Sequence, residues 1–156
     1  MQFSVRRFVK SDAAAVGRMV RGILRSDDLA HYPSDVVSNE CRWFSKHNLE
    51  QSKVVRWVAS AGGRIIGTVG VDGNRIVALY VRKSGRGNGV GSALVEVAEK
   101  YALRSQGGVR VLASVDAEGF YIKRGYRRVK REMMPLGGVN YDVVVMVKRM
   151  ARKKSS

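Results

Sequence analysis

Apolar and polar residues alternate along residues 2–8, the two-residue period of a strand with one buried face. The period then lengthens. Ala15, Val16, Met19, Val20 and Ile23 recur at helical spacing, and Ser11 or Asp12 stands where a short side-chain oxygen can cap the first turn. A loop is expected over residues 25–33. A second helix then opens at Ser34, with Val37, Cys41 and Phe44 along one face. From residue 53 the period shortens again. Strands are expected over residues 53–59, 64–71 and 74–81, joined by two-residue turns at Gly62-Gly63 and Asp72-Gly73. The third of these is apolar without a break from Ile76 to Val81, as in a central strand covered on both faces. Val90, Leu94, Val97, Ala98 and Tyr101 mark a third helix, which Gly107-Gly108 is expected to close. A strand over residues 109–115 follows. Asp116 is read as the cap of a short helix reaching residue 124, with Gly125 in its left-handed terminal position. Strands over residues 126–133 and 141–148 end the pattern. The order βααβββαβαββ predicts one α/β domain over residues 1–149, with a mixed seven-stranded sheet and helices on both faces, followed by a basic tail over residues 150–156.

A chain of 156 residues is long enough for one such core. Its longest apolar runs, such as residues 143–147, are far too short to cross a bilayer, and the N-terminus lacks the apolar stretch of a signal peptide. The single cysteine, Cys41, cannot form an internal disulfide and suits a reducing compartment. A cytoplasmic location with no membrane partner is therefore expected. Charge changes the picture more. Lys and Arg number 29 against 13 Asp and Glu, a formal net charge of +16. One small anionic ligand does not require a field of that size. It points to an acidic partner such as RNA, a ribosome surface or an acidic peptide, unless it reflects a general bias toward Lys and Arg.

The candidate chemistry lies where the central strand hands over to the third helix. Gly87, Gly89 and Gly91 remove side chains there, so backbone N–H groups can approach a ligand closely. The first helical turn aims its unpaired N–H groups and its positive dipole end at the same place, and Arg86 adds a full charge. This arrangement suits a pyrophosphate. The dinucleotide fingerprint G-x-G-x-x-G fails, because Val90 or Ser92 occupies the sixth position in the two registers. The P-loop fails because no Gly-Lys-Ser/Thr follows. The pattern Arg-x-x-Gly-x-Gly is met by Arg86, Gly89 and Gly91.

With Leu79, Tyr80 and Val81 ahead of it, this segment resembles the acetyl-CoA-binding motif of the GNAT superfamily of N-acetyltransferases. Residues 117–126, with Phe120-Tyr121 and then Gly125-Tyr126, are similar to the family's later Phe-Tyr-x-x-x-Gly-Phe segment, with Tyr126 in place of Phe. The element order and the early Arg6 and Asp12 also match. The resemblance implies an enzyme that moves an acetyl group from acetyl-CoA to a primary amine by direct attack, through a tetrahedral intermediate. It implies that pantetheine lies along Leu79, Tyr80 and Val81 like an added strand, with a backbone N–H near Val81 on the acetyl carbonyl. The pyrophosphate would sit on Arg86, Gly87, Asn88, Gly89, Val90, Gly91 and Ser92. Tyr121 takes the family's position for the general acid that protonates the leaving thiolate. The acceptor would lie near His31, Tyr32 and Tyr141. The family's strand carboxylate is missing from residues 74–81, which leaves Glu40, Asp116, Glu118, His31 or a water as the base. No metal is implied, and family members often form homodimers.

The crowding of Lys123, Arg124, Arg127, Arg128, Lys130 and Arg131 would repel a polyamine. It favours an acidic or RNA-associated protein, or a carboxylate-bearing small molecule, as the acceptor. The alternative from a different class is a basic binding protein for nucleic acid or the ribosome on the same fold, which the charge alone supports.

Overall fold

The computed structural model describes residues 1–26, 34–103, 107–136 and 139–149. Seven strands form one sheet in the order β1-β2-β3-β4-β5-β7-β6. Strand β1 (Ser4–Arg7) leads through a short 3-10 turn into helix α1 (Ala13–Leu24). Helices α2 (Ser34–Trp43) and α3 (Lys46–Gln51) follow. Strands β2 (Val55–Ala61), β3 (Arg64–Asp72) and β4 (Arg75–Val81) form an antiparallel meander. Helix α4 (Val90–Ala102) crosses over to β5 (Val109–Ser114), which pairs parallel to β4. Helix α5 (Glu118–Lys123) leads into the hairpin of β6 (Arg127–Leu136) and β7 (Val139–Lys148). The expected mixed sheet and element order are present, with α3 as an addition.

The strand alternation sorts side chains into two cores. On β2, Trp57 and Ala59 face one way and join Val90, Leu94, Val95 and Ala98 of α4. Val58, between them, faces the other way and joins Val16, Met19 and Val20 of α1 with Cys41 and Phe44. The sheet is thus covered on both faces, which is why β3 reads as a nearly unbroken buried run.

Several local expectations are corrected. Asp12 does not cap α1 through its side chain. Its carboxylate accepts from Arg6 Nη1 (2.8 Å), Arg6 Nη2 (2.9 Å) and the Val9 N–H (2.9 Å) instead. The β3–β4 turn is Gly73-Asn74, one residue later than read, because only Gly73 takes positive φ and Asp72 pairs with Arg75. Helix α4 ends at Ala102, so Gly107-Gly108 does not close it; both glycines take positive φ on the way into β5. Asp116 sits inside a 3-10 turn (Val115–Ala117) rather than at a cap, while Gly125 takes the left-handed conformation expected (φ +91°). The last hairpin is longer than read. Pro135 pairs with Asn140 inside β6, which is an edge strand and tolerates a residue with no N–H. Helix α3 was hidden by its content, since only Leu49 of its six residues is buried. Its start is marked by Ser45, whose hydroxyl accepts the Asn48 N–H (3.1 Å).

Candidate active site

The site begins with a break in the sheet. Strand β4 pairs with β5 only at Arg75↔Arg110 and Ile76↔Val111, although β4 runs on to Val81 and β5 to Ser114. Beyond Ile76 the two strands diverge. The cause lies inside β4. Its pairing with β3 shifts between Thr68 and Gly70, and Ala78 takes φ +55°, a conformation an L-residue adopts at a cost of about 1–2 kcal/mol. This bulge bends the strand away from β5. The unbroken apolar run gave no sign of it, because Ala carries no turn signature.

The divergence leaves main-chain groups open. The Arg82 N–H bonds to Ile66 O on β3 (2.8 Å), so Val81, one residue earlier, turns its own N–H and C=O to the opposite, open side. The Val81 carbonyl accepts from Arg86 Nε at 3.4 Å. The exposed edge runs straight into the glycine turn. Gly87 and Gly89 take φ +77° and +81°, and no atom lies within 4 Å of where a Cβ would stand on either. Gly89 is the left-handed N-cap of α4. The first intrahelical bond at this end is Ala93 N to Gly89 O (3.0 Å), which leaves the N–H groups of Val90, Gly91 and Ser92 without helical partners at the positive end of the helix dipole.

A cavity of about 640 Å³ joins these features. Leu79, Tyr80 and Val81 form one wall, and Arg86, Gly87, Gly89, Val90, Gly91 and Ser92 form its head. Asn88 is not on the wall. Its side-chain amide bonds to Arg86 O (3.1 Å) and shapes the turn. Tyr121 closes the far side, together with three residues that the sequence reading had not assigned to the site: Ile23 from the end of α1, and Ala117 and Phe120 beside α5. Phe120 was visible in its motif, whereas Ile23 was read only as a core position.

Tyr121 is 4% exposed. Its ring lies edge-on to Phe120 (5.1 Å) and Tyr126 (5.3 Å). Tyr126 is itself anchored, its hydroxyl donating to Glu99 Oε1 of α4 (2.9 Å), where Lys148 Nζ also reaches Glu99 Oε2 (3.3 Å). The residue that departs from the family's Phe therefore serves a buried carboxylate, and the same network braces Tyr121. Burial pushes the Tyr121 phenol well above its ordinary value, while Arg124 pulls weakly the other way. It stays protonated at neutral pH, which is the form an acid needs.

The candidate bases separate. Glu118 is held by Arg128 Nη2 (2.7 Å). Glu40 lies on α2, and burial raises its carboxyl above the usual range. His31 and Tyr32 lie outside the described residues. Tyr141 is placed on β7 opposite Met134, and its side chain lies outside the description.

A sheet split at its parallel pair, with a cavity running from the bare strand edge to a helix N-terminus, defines a class: α/β enzymes that take a long phosphorylated thioester as substrate. A bare main-chain edge can take a ligand that pairs like an added strand, and a glycine turn at a helix N-terminus can take an anion. Residues 24–139 match the family model for the acetyltransferase (GNAT) domain, and the chain belongs to that family. It is an acetyl-CoA-dependent N-acetyltransferase. No curated protein is similar enough in sequence to match it. Solved structures share the fold. A GCN5-related N-acetyltransferase from Rhodopseudomonas palustris is 22% identical with a TM-score of 0.84, covering 96% of this chain and 97% of its own. The PaiA N-acetyltransferase of Thermoplasma acidophilum, solved with coenzyme A, is 17% identical with a TM-score of 0.73, covering 96% and 100%. The ribosomal-protein-alanine N-acetyltransferase of Brucella melitensis is 16% identical with a TM-score of 0.68, covering 94% and 99%.

Proposed function

We propose that the chain acetylates a primary amine on an acceptor that carries carboxylates, with Tyr121 as the general acid and the open edge of β4 as the donor's binding strand. The observation that carries this reading is the continuity of one cavity from Val81 to the α4 N-terminus, with Tyr121 on its wall. Leu79, Tyr80 and Val81 hold the pantetheine, and the main-chain N–H of Val81 meets the acetyl oxygen. That hydrogen bond strengthens as the oxygen gains charge. The N–H groups of Val90, Gly91 and Ser92 receive the pyrophosphate, with Arg86 beside them.

In the reaction, the neutral amine nitrogen forms a bond to the thioester carbonyl carbon, and the carbonyl π pair moves onto oxygen. As that pair returns, the C–S bond breaks and Tyr121 gives its proton to the departing sulfur. The proton lost from nitrogen passes to water, and the phenolate regains one from solvent. Water is largely excluded around Tyr121. The same desolvation that raises the phenol's pKa also raises that of the thiolate it serves, so the transfer stays near balance.

A carboxylate-bearing acceptor fits the charge. With a formal net charge of +16, the surface field favours an anionic substrate over a polyamine. The Brucella enzyme of the same fold is named for acetylating an alanine of a ribosomal protein, which supports a protein as the acceptor here.

Tyr121→Phe tests the acid. It keeps the ring packing and removes the proton. The expected result is acetyl-CoA affinity within about twofold of wild type and kcat lowered about 100-fold, followed by release of CoA thiol. Unchanged kcat at saturating acetyl-CoA removes Tyr121 from the mechanism.

A further inference from the structure

A second cavity, of about 680 Å³, adjoins the first and shares Ile23 and Arg86 with it. It lies between the C-terminal end of α1, the start of β3 and the loop after β4. Arg25, Arg64, Arg82, Lys83 and Arg86 line it, and among the described residues no Asp or Glu does. Arg25, Arg64, Arg82 and Lys83 form no ion pair with a described residue. Asp27 and Asp28, the nearest acids in sequence, lie outside the described residues. Like charges are held together here at a cost. The Arg82 guanidinium is depressed by burial and further by Arg64, while its Nε is fixed on Ile65 O (3.0 Å). The carbonyl end of α1 offsets roughly half a charge, against five cations. A concave site where Arg25, Arg64, Arg82 and Lys83 converge without an ion pair to any described residue suits an anion.

We infer that this cleft is the acceptor subsite for an acidic peptide segment, seated so that its amine passes over Ile23 to the donor thioester at Leu79–Val81. The inference rests on the acetyl-transfer reading of the adjoining cavity. The volume matches that of the donor cavity, enough for several residues rather than one phosphate group. Arg forks grip carboxylates in pairs. Among the described residues the lining has no Phe, Tyr or Trp, and so none of them offers a platform for the base stacking that single-stranded RNA recognition uses.

The probe is an octapeptide with a free N-terminal alanine and six Asp or Glu residues, labelled at its C-terminus, with its Asn/Gln counterpart as control. Arg64→Gln/Lys83→Gln removes two exposed cations of the cleft. Arg18→Gln/Lys123→Gln removes two exposed cations elsewhere. Binding is read by anisotropy with and without acetyl-CoA, and donor affinity by calorimetry with acetyl-CoA and dephospho-CoA. The acidic peptide should bind wild type at least about tenfold more tightly than its amide counterpart. The cleft variant should lose about tenfold in peptide affinity and less than twofold in acetyl-CoA affinity, and the distant variant should lose little of either. Equal losses in the two variants overturn the inference in favour of a diffuse field. A loss of acetyl-CoA affinity in the cleft variant, with dephospho-CoA unaffected, assigns the cleft to the donor's 3′-phosphate and overturns it too. Tighter binding of a labelled 12-nucleotide RNA than of the peptide does the same. Failure of wild type to bind acetyl-CoA counts against the donor reading alone, because the peptide arm is also measured without donor.

Discussion

Asp12 lies six positions from Arg6, yet the strand and the following turn bring them into a two-pronged contact that fixes how β1 enters α1. The hydrogen bond from Arg6 holds the Asp12 carboxyl below the usual carboxylate range, with the Val9 N–H helping and burial opposing. The sign follows. A carboxyl depressed in the folded state adds stability above its ordinary value of about 3.9, and that stability is lost as pH falls through the lower folded value. Asp12→Asn should cost about 1–2 kcal/mol at pH 7, and the gap from wild type should shrink as the pH approaches 3. Arg6 is half-exposed, so screening keeps the figure near the lower end. Urea titrations at the two pH values check it. Residues of this kind were visible in the sequence as types and not as partners. Tyr121, Arg86 and Gly89 could be read because their motifs are local. The link from Tyr126 through Glu99 to Lys148 could not, since it joins α5's exit, α4 and β7 across 49 positions.

Helix α1 shows how one element treats two like residues differently. Gly22 is solvent-exposed, and nothing lies within 4 Å of where its Cβ would stand. Gly17 is buried, and a Cβ there would meet Phe44 O at 2.6 Å and Arg21 Nη1 at 2.7 Å, while Arg21 donates to that same carbonyl (2.7 Å). Gly22→Ala should therefore raise stability by about 0.5–1 kcal/mol through helix propensity, and Gly17→Ala should lower it by about 1–3 kcal/mol through overpacking against the end of α2. Opposite shifts in Tm from the same substitution on one helix are the expected result; shifts of one sign would contradict the packing. The periodic pattern located α1 and its buried stripe but not its neighbours, which is why Gly17 and Gly22 look alike in the sequence. The same limit applies to β4. Its apolar run placed it at the centre of the sheet, while the bulge at Ala78 and the parting from β5 come from pairing geometry that no single-strand pattern encodes.

The whole molecule carries like charge against itself. With a formal net charge of +16, self-repulsion lowers the stability of the compact state, while the same field draws in an anionic donor. Salt screens both effects, over a distance of about 10 Å at 0.1 M. Raising NaCl from about 20 to 300 mM should thus raise Tm and lower kcat/KM for acetyl-CoA. Scanning calorimetry and initial rates at matched salt concentrations check the pair. Parallel trends would mean that the charge acts on only one of them. Sequence composition made this scale legible at once, because net charge requires no coordinates. Its concentration into one cleft beside the donor cavity becomes visible only when α1, β3 and the β4–α4 loop are brought together.

The parting of β4 from β5 has a further meaning for the company the protein keeps. A free strand edge is a template on which foreign strands add, and most proteins guard such edges at the rim of a sheet. Here the edge lies in the interior of the sheet, between partners that are still joined at Arg75 and Ile76. Phe120 and Val90 line the cavity that opens beside it. A polypeptide entering it would bring a side chain every second residue against those walls. On the proposed donor reading, the pantetheine arm confines its bulk to one short stretch, two methyls and a hydroxyl, and is slender elsewhere. The slot would then sort by thickness, taking that arm and turning away the polypeptide strands that could otherwise seed aggregation.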